Sequence, residues 1–180
     1  MMDFLKIDQF EHFYINDCVL DIGICDVVLK KWTGVPICNS FGGKTLIDVD
    51  GKPLFAELAV VDWFISQGWD ARWVCTYGRN KMNPLFLTSW SDCSVKGQKS
   101  KQFSNDKVHE TLMRIAEIND NSFGGCWDVV AYKGEELLFV ECKKYKCDRI
   151  RETQLKWLKS SLQYGLQKEN FRILQWRTDI

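Results

Sequence analysis

The alternation of apolar and polar residues is clearest in the second half of the chain. Two β-rich runs, residues 127–132 and 136–143, flank a short segment that contains glycine. This arrangement is typical of a β-hairpin. A two-residue loop at Gly134-Glu135, or a four-residue loop that takes one more residue from each side, gives the same strand pairing. Both loops predict that Asp128 lies opposite Glu141.

Three other stretches have the residue pattern of helices. Pro53 opens the first and Gly68 stops it, as expected from the preference for proline at helix starts and glycine at helix ends. The predicted helix has apolar residues on almost all of its faces, which predicts that it is buried on several sides. The other two are amphipathic. The predicted helices are residues 53–67, from 104 or 105 to 119, and from 148–151 to 165.

Short runs of apolar or alternating residues predict further strands. Together with the helices, they predict a single α/β domain. The long polar connection at residues 78–103 joins two of them. Residues 1–50 carry no recognisable chemistry, and we interpret them as an N-terminal extension that is a cap, an interface or a specificity element. The predicted strands are residues 18–30, 45–49, 71–77, 85–90 and 171–176.

Composition narrows the class of protein. The chain has 180 residues, of which 46% are hydrophobic, enough for a packed core. Eight cysteines occur without a Cys-x-x-Cys pair, which favours reduced thiols in a cytoplasmic protein over a zinc site. The sequence shows neither a signal peptide nor an apolar run of transmembrane length, so we expect no membrane partner.

The formal net charge is zero, so attraction to nucleic acid has to come from a local patch. Residues 143–159 hold seven Lys or Arg residues against Asp148 and Glu152. A basic face of this kind suits binding to a phosphate backbone. The alternative is a solvated helix face, the commoner origin of a charge run.

The predicted hairpin gathers an unusual set of side chains. Residues two apart on a strand share a face, so Glu141 and Lys143 point the same way, and Asp128 lies opposite Glu141. Charged groups among apolar strand residues cost free energy unless water, a partner or a metal satisfies them. Two carboxylates a few ångströms apart suit Mg²⁺, and the lysine can meet a phosphate or a nucleophilic water.

Glu57 is conspicuous because it lies in the apolar helix predicted at 53–67. One interpretation is a first-turn acid that complements the helix dipole, worth under about 1 kcal/mol. The other is a carboxylate directed at the Asp128–Glu141 cluster, which we favour once the hairpin is considered. Asp62 is a weaker candidate of the same kind.

The order of elements from Glu57 onward, with Asp-x(12)-Glu-x-Lys on the hairpin, resembles the PD-(D/E)XK nuclease superfamily. Within it, residues 124–165 resemble the virus-type replication-repair nuclease (VRR-NUC) domains. Those have an Asp at a strand start, a strand ending in Glu-x-Lys, a loop Asp, and a helix with Gln three residues before Trp-Leu. The matching positions are Asp128, Glu141-Cys142-Lys143, Asp148, Gln154 and Trp157-Leu158.

The chain departs from this pattern at two places. Trp127 precedes the aspartate where the superfamily has Pro, and Lys144-Tyr145 follows the lysine where these families often have Gly. Both departures concern loop geometry and substrate preference, and neither removes a ligand.

The resemblance implies a restriction-endonuclease-like αβββαβ core over residues 51–180, with a mixed central sheet flanked by helices. It implies a DNA endonuclease that uses Mg²⁺, with Mn²⁺ as a substitute and no organic cofactor. The metal ligands would be Asp128, Glu141, the Cys142 backbone carbonyl and Glu57. The catalytic set would be Lys143, Glu141, Asp128, Glu57 and Gln154.

The resemblance also implies partners. DNA, structured or branched, is the expected substrate, and a homodimer is the working expectation. The backbone-binding residues would be Lys144, Lys146, Arg149, Arg151 and Lys156. Two alternatives stay open: a nuclease-like module that binds nucleic acid or protein without cutting, and a structural domain in which Asp128, Glu141 and Lys143 form only a salt-bridged cluster.

Overall fold

The computed structural model describes residues 4–15, 17–77 and 82–179. Within them the chain forms a mixed sheet of seven strands, a separate two-stranded hairpin and three α-helices. The strands are β1 (Gln9–Ile15), β2 (Cys18–Leu29), β3 (Leu46–Val49), β4 (Lys52–Phe55), β5 (Asp70–Cys75), β6 (Leu85–Leu87), β7 (Val129–Lys133), β8 (Glu136–Lys144) and β9 (Phe171–Thr178). The helices are α1 (Ala56–Ser66), α2 (Asp106–Ile118) and α3 (Glu152–Tyr164).

The strand order in the large sheet is β1-β2-β9-β8-β7-β5-β6. The neighbours β5, β7 and β8 are antiparallel, whereas β9 is parallel to both β8 and β2. The parallel β8–β9 pair requires a crossover connection, and α3 provides it. The predicted α/β class with a mixed sheet and flanking helices is therefore confirmed.

The central hairpin has the register that its sequence predicts. Lys133 pairs with Glu136, so Gly134 and Glu135 form a two-residue loop, and Val129 pairs with Val140. Gly134 has a positive φ of 62°, which glycine adopts without a steric cost. The same register, continued by one residue, puts Asp128 opposite Glu141.

The N-terminal segment belongs to the large sheet. The strand predicted at 18–30 is β2, which pairs in parallel with β9, and β1 pairs with β2 to form one edge of the sheet. β1 and β2 thus lengthen the sheet beyond β9 rather than forming a layer of their own.

One predicted boundary is wrong. Pro53 does not open the first helix; it lies in β4, where it pairs with Asp48 of β3, and the helix begins at Ala56. The turn at Asp50 and Gly51 has positive φ at both positions, the geometry that closes a tight hairpin. A two-stranded hairpin tolerates proline because the missing N–H can face outward. The predicted end is right, since Gly68 follows the C-cap residue Gln67.

Two hydrophobic cores cover the two faces of the sheet. Val129 and Ala131 of β7 face the core that includes Phe64 of α1, while Val130 faces the core that includes Trp157 of α3. This alternation follows from the two-residue period of a strand. As expected from its apolar surface, α1 is buried on several sides, between the sheet and the β3–β4 hairpin.

The remaining elements agree with the sequence within a few residues. Asn105 caps α2 through its side chain, which accepts a hydrogen bond from the Lys107 N–H, and Gly165 ends α3 in the left-handed conformation. The polar connection after β5 contains β6, and its residues 78–81 lie outside the described part of the chain. Cys18, Cys38, Cys75, Cys93, Cys126, Cys142 and Cys147 are free thiols. None of the helices within the described ranges has the length and hydrophobicity needed to cross a membrane.

Candidate active site

A cleft of about 590 Å³ opens where β7 begins and β8 ends. Its walls come from the 41–45 loop, the first turn of α1, the β7–β8 hairpin, and the segment from Lys144 to the first turn of α3, with Tyr77 after β5 and Trp176 of β9. The lining residues include Lys44, Glu57, Asp128, Glu141, Cys142, Lys143 and Gln154.

Asp128 and Glu141 meet across the hairpin as predicted. The Asp128 N–H donates to Glu141 Oε2 at 3.3 Å, and the Cys142 N–H donates to Asp128 Oδ2 at 3.0 Å. Lys143 Nζ lies 3.0 Å from Glu141 Oε1. Only 2% of Glu141 and 7% of Lys143 is exposed to solvent, so this charged pair lies at the floor of the cleft.

Gln154, in the first turn of α3, connects the lysine to the carboxylate. Its Oε1 accepts from Lys143 Nζ at 3.0 Å and from the Arg151 N–H at 2.8 Å, while its Nε2 donates to Glu141 Oε1 at 2.5 Å. The amide therefore caps the helix and fixes the Lys143 ammonium group at the same time. The structure thus places Gln154, a member of the predicted catalytic set, in contact with both Lys143 and Glu141.

Gly125 lets the start of the hairpin approach α3 closely. Its φ is +85°, and a Cβ at this position would lie 2.0 Å from the Thr153 carbonyl oxygen. The adjacent Trp127 is fully buried, and its Nε1 donates to the Gln154 carbonyl at 3.3 Å. Trp127 thus ties the Asp128 strand to the Gln154 helix.

Glu57 projects from the first turn of α1 into the same cleft, and 2% of it is exposed. Its Oε1 forms an ion pair and hydrogen bond with Lys44 Nζ. Its Oε2 is buried and has no hydrogen-bond partner among the described residues. A buried carboxylate oxygen without a partner is costly, which marks Glu57 as incompletely satisfied.

Lys44 reaches Glu57 because aromatic packing holds its loop in place. The Phe41 ring packs against Phe55, Trp73, Tyr77 and Trp90, with centroid distances of 5.2–5.5 Å. Gly42 and Gly43 then turn the chain with positive φ, and Asn39 Nδ2 donates to the Lys44 carbonyl at 2.7 Å.

The electrostatics of the cleft disfavour the charged carboxylates. Burial first, and then the charge of Asp128, raises the pKa of Glu141 well above its usual range, although Lys143 opposes the shift. Burial also raises the pKa of Glu57; Lys44 opposes this shift, and Asp128 adds to it. Burial disfavours the Lys44 ammonium group, but Glu57 and Asp128 outweigh this and raise the pKa of Lys44.

These features fit a hard divalent cation with few protein ligands. A Mg²⁺ site typically takes one or two carboxylates and completes its shell with water, and Asp128 with Glu141 offers that set. Within the described ranges, no three His, Cys, Asp or Glu side chains converge into a ready-made metal cage. Burial, followed by the charge of Asp128, raises the pKa of the Cys142 thiol, which leaves the backbone of Cys142 rather than its sulfur as a donor.

The predicted backbone-binding residues divide into two groups. Lys144 and Arg151 line the cleft, and Lys144 Nζ donates to Thr45 Oγ1 at 2.8 Å. Lys146 and Arg149 are exposed in the adjoining loop. Lys156, in contrast, pairs with Asp120 beyond the end of α2 and does not line the cleft.

A second cavity, of about 330 Å³, adjoins the first and shares Phe41, Lys44 and Asp128 with it. Trp73 and Tyr77 line it, and 57% of Tyr77 is exposed. Asp62, the weaker acidic candidate, is exposed on α1 and lines neither cavity.

The chain matches no protein-family model, no curated protein and no solved structure. Sequence reasoning missed the ion pair between Lys44 and Glu57, because no local pattern relates a lysine in a loop to an acid in the first turn of a helix. The Gly42-Gly43 turn directly before Lys44 is the signal that could have drawn attention to it.

Proposed function

We propose that this protein is a metal-dependent nuclease with a restriction-endonuclease-like αβββαβ core. The observation that carries the proposal is the cluster of Asp128, Glu141 and Lys143 on one hairpin, at the floor of an open cleft. The order α1, β5, β7, β8, α3 and β9 supports the fold, because it has the sequence of elements expected for that core.

Asp128 and Glu141 would hold the metal, with the Cys142 carbonyl as a third protein donor. The bound cation would neutralise charge on the non-bridging oxygens of the phosphodiester and lower the pKa of an attacking water. The Lys143 ammonium group, fixed 3.0 Å from Glu141 Oε1 and from Gln154 Oε1, can donate to that water or to a phosphate oxygen. Such a fixed donor stabilises the charge that develops in the transition state.

The proposed substrate is DNA, structured or branched, as the resemblance to the VRR-NUC domains suggests. Lys144 and Arg151 at the cleft, with Lys146 and Arg149 beside it, supply positive charge for the phosphate backbone. Contacts of this kind position a nucleic acid without reading its sequence. The same resemblance suggests a homodimer with two cutting sites.

A second candidate is a nuclease-like module that binds nucleic acid without cutting it. One observation favours it: Glu141 already accepts hydrogen bonds from Lys143, Gln154 and the Asp128 backbone. A carboxylate with these partners has fewer lone pairs free for a metal. Metal-dependent cleavage separates the two candidates.

The deciding experiment uses labelled duplex, flap and four-way junction DNA with Mg²⁺ or Mn²⁺. We expect the wild-type protein to cut at least one substrate and Asp128→Asn to lose cutting while still binding DNA. Asp62→Asn is the matched control, because it removes an acid that is exposed outside the cleft. Binding without cleavage by the wild-type protein would favour the second candidate, and cleavage that survives Asp128→Asn would contradict the assigned site.

A further inference from the structure

Lys44 lines the cleft together with Lys143. Its ammonium group pairs with Glu57 and lies 5.4 Å from the centre of the Trp73 ring and 5.8 Å from that of Phe41. The side chain is 30% exposed, so the charge sits in the wall of the cleft rather than on the open surface. Aromatic faces stabilise a cation held in this way.

The charges that line the cleft are balanced. Four acidic and four basic side chains line it: Glu57, Asp128, Glu141 and Asp148, and Lys44, Lys143, Lys144 and Arg151. In their ionised forms these groups leave no net charge. One divalent cation changes this to two net positive charges, which already exceeds the single negative charge of a phosphodiester. A second divalent cation would leave an excess of positive charge in a partly buried site, which is costly.

Lys44 also competes directly for the carboxylate that a second cation would need. Glu57 Oε1 is engaged by Lys44, and the remaining Glu57 Oε2 is buried without a partner among the described residues. The charge of Asp128 acts on both members of the pair. Glu57 and Asp128 line the same cleft, and Lys44 already supplies a cation to Glu57.

From this geometry we infer that Lys44 takes the place of a second divalent cation, so that the cleft binds one metal ion, at Asp128 and Glu141. The inference rests on the proposed function, because it assumes that these two carboxylates bind an ion. It assigns Glu57 to Lys44 rather than to the first ion. Removal of the Lys44 charge should then open a second cation site between Glu57 and Asp128.

The test counts Mn²⁺ ions bound to the intact protein by calorimetry and by electron paramagnetic resonance. We expect one ion in the wild-type protein, one in Lys44→Arg, which keeps the charge, and two in Lys44→Met. The double variant Lys44→Met with Glu57→Gln should return to one ion. Lys30→Met is the matched control: Lys30 Nζ pairs with Asp48 at 2.6 Å outside the cleft, and its loss should leave one ion.

The outcomes separate this inference from the proposed function. Two ions in the wild-type protein, or one ion in Lys44→Met, would overturn the role of Lys44 while leaving the nuclease proposal intact. No ion in the wild-type protein, together with no cleavage, would contradict the proposed function itself. If circular dichroism shows that Lys44→Met does not fold, Lys44→Gln replaces it, because a neutral amide can still donate a hydrogen bond to Glu57. We again expect two bound Mn²⁺ ions.

Discussion

Two buried charge clusters among the described residues differ in how completely their charges are satisfied. In the first, Arg72 donates from all three guanidinium nitrogens, to Asp70 and to backbone carbonyls of Ala71, Lys101 and Gln102. The other oxygen of Asp70 accepts from the N–H and hydroxyl of Ser104, each at 2.7 Å. In the second, the cleft cluster, Glu57 keeps a buried oxygen without a partner among the described residues.

The contrast shows what separates a structural ion pair from a candidate functional site. The hydrogen bonds of the Asp70–Arg72 cluster hold the 101–104 segment against the sheet. Burial raises the pKa of Asp70, but its hydrogen bonds to Ser104 and its pairing with Arg72 outweigh this effect, so that the pKa is lowered overall. In the cleft cluster the pKa values of Glu57 and Glu141 are raised instead. Buried carboxylates whose charged form is disfavoured, and which line a cleft that a cation can enter, are the ones that a cation would stabilise.

The largest expected effect is on stability. Arg72→Met removes the cation from the satisfied cluster and leaves Asp70 without its charged partner, which should lower the free energy of unfolding by about 3–5 kcal/mol. Urea denaturation measures this. Cleavage by the folded fraction should persist, because Arg72 lies outside the cleft. A loss of less than about 1 kcal/mol would show that this cluster is not what fixes the segment.

The next largest effect is on catalysis. Lys143→Met should reduce the cleavage rate roughly 100- to 1000-fold, because it removes a fixed donor to the reacting phosphate. Lys133→Met is the matched control, since Lys133 donates to the Gln67 carbonyl at the opposite end of the same hairpin. Single-turnover kinetics with Mg²⁺ give both rates. Equal rates for the two variants would argue that Lys143 has no part in the reaction.

A smaller effect should distinguish a functional cluster from a structural one. In EDTA, Glu141→Gln should change the free energy of unfolding by less than about 1 kcal/mol, because the removal of a buried carboxylate whose charged form is disfavoured offsets the loss of the charged partner of Lys143. Thermal denaturation with and without Mn²⁺ tests this: the ion should stabilise the wild-type protein and not the variant. A variant that is less stable than the wild type by about 3 kcal/mol or more in EDTA would mean that the cleft cluster stabilises the fold as the Asp70–Arg72 cluster does.

The smallest effect concerns pH. The pKa of Asp70 is lower in the folded protein than the usual value of about 3.9. Its contribution to stability is therefore complete above that value and is lost as the pH falls through the folded-state pKa. Urea denaturation between about pH 2 and pH 5 should show a steeper loss for the wild type than for Asp70→Asn. Parallel curves would refute this contribution.

Much of the candidate site follows from the sequence because it is local. Asp128, Glu141 and Lys143 share one hairpin, so a two-residue turn and the two-residue period of a strand suffice to bring them together. Gln154 was named only through the resemblance, because its contact with Lys143 depends on how α3 packs beside β8. The α/β class and most element positions also follow from periodicity and from the glycine that ends each of two helices.

The tertiary structure decided what depends on distant parts of the chain. Lys44 meets Glu57 only because Phe41, in the same loop as Lys44, packs on Phe55 of β4 and Trp73 of β5. No local sequence pattern encodes these contacts. Pro53 lies in a strand because the Asp50–Gly51 turn and the Asp48 pairing outweigh its preference for a helix start. The sequence alone thus determined the hairpin and its three charged residues. Long-range packing decided which further charged residues line the same cleft, because the whole core sets the contacts between remote segments.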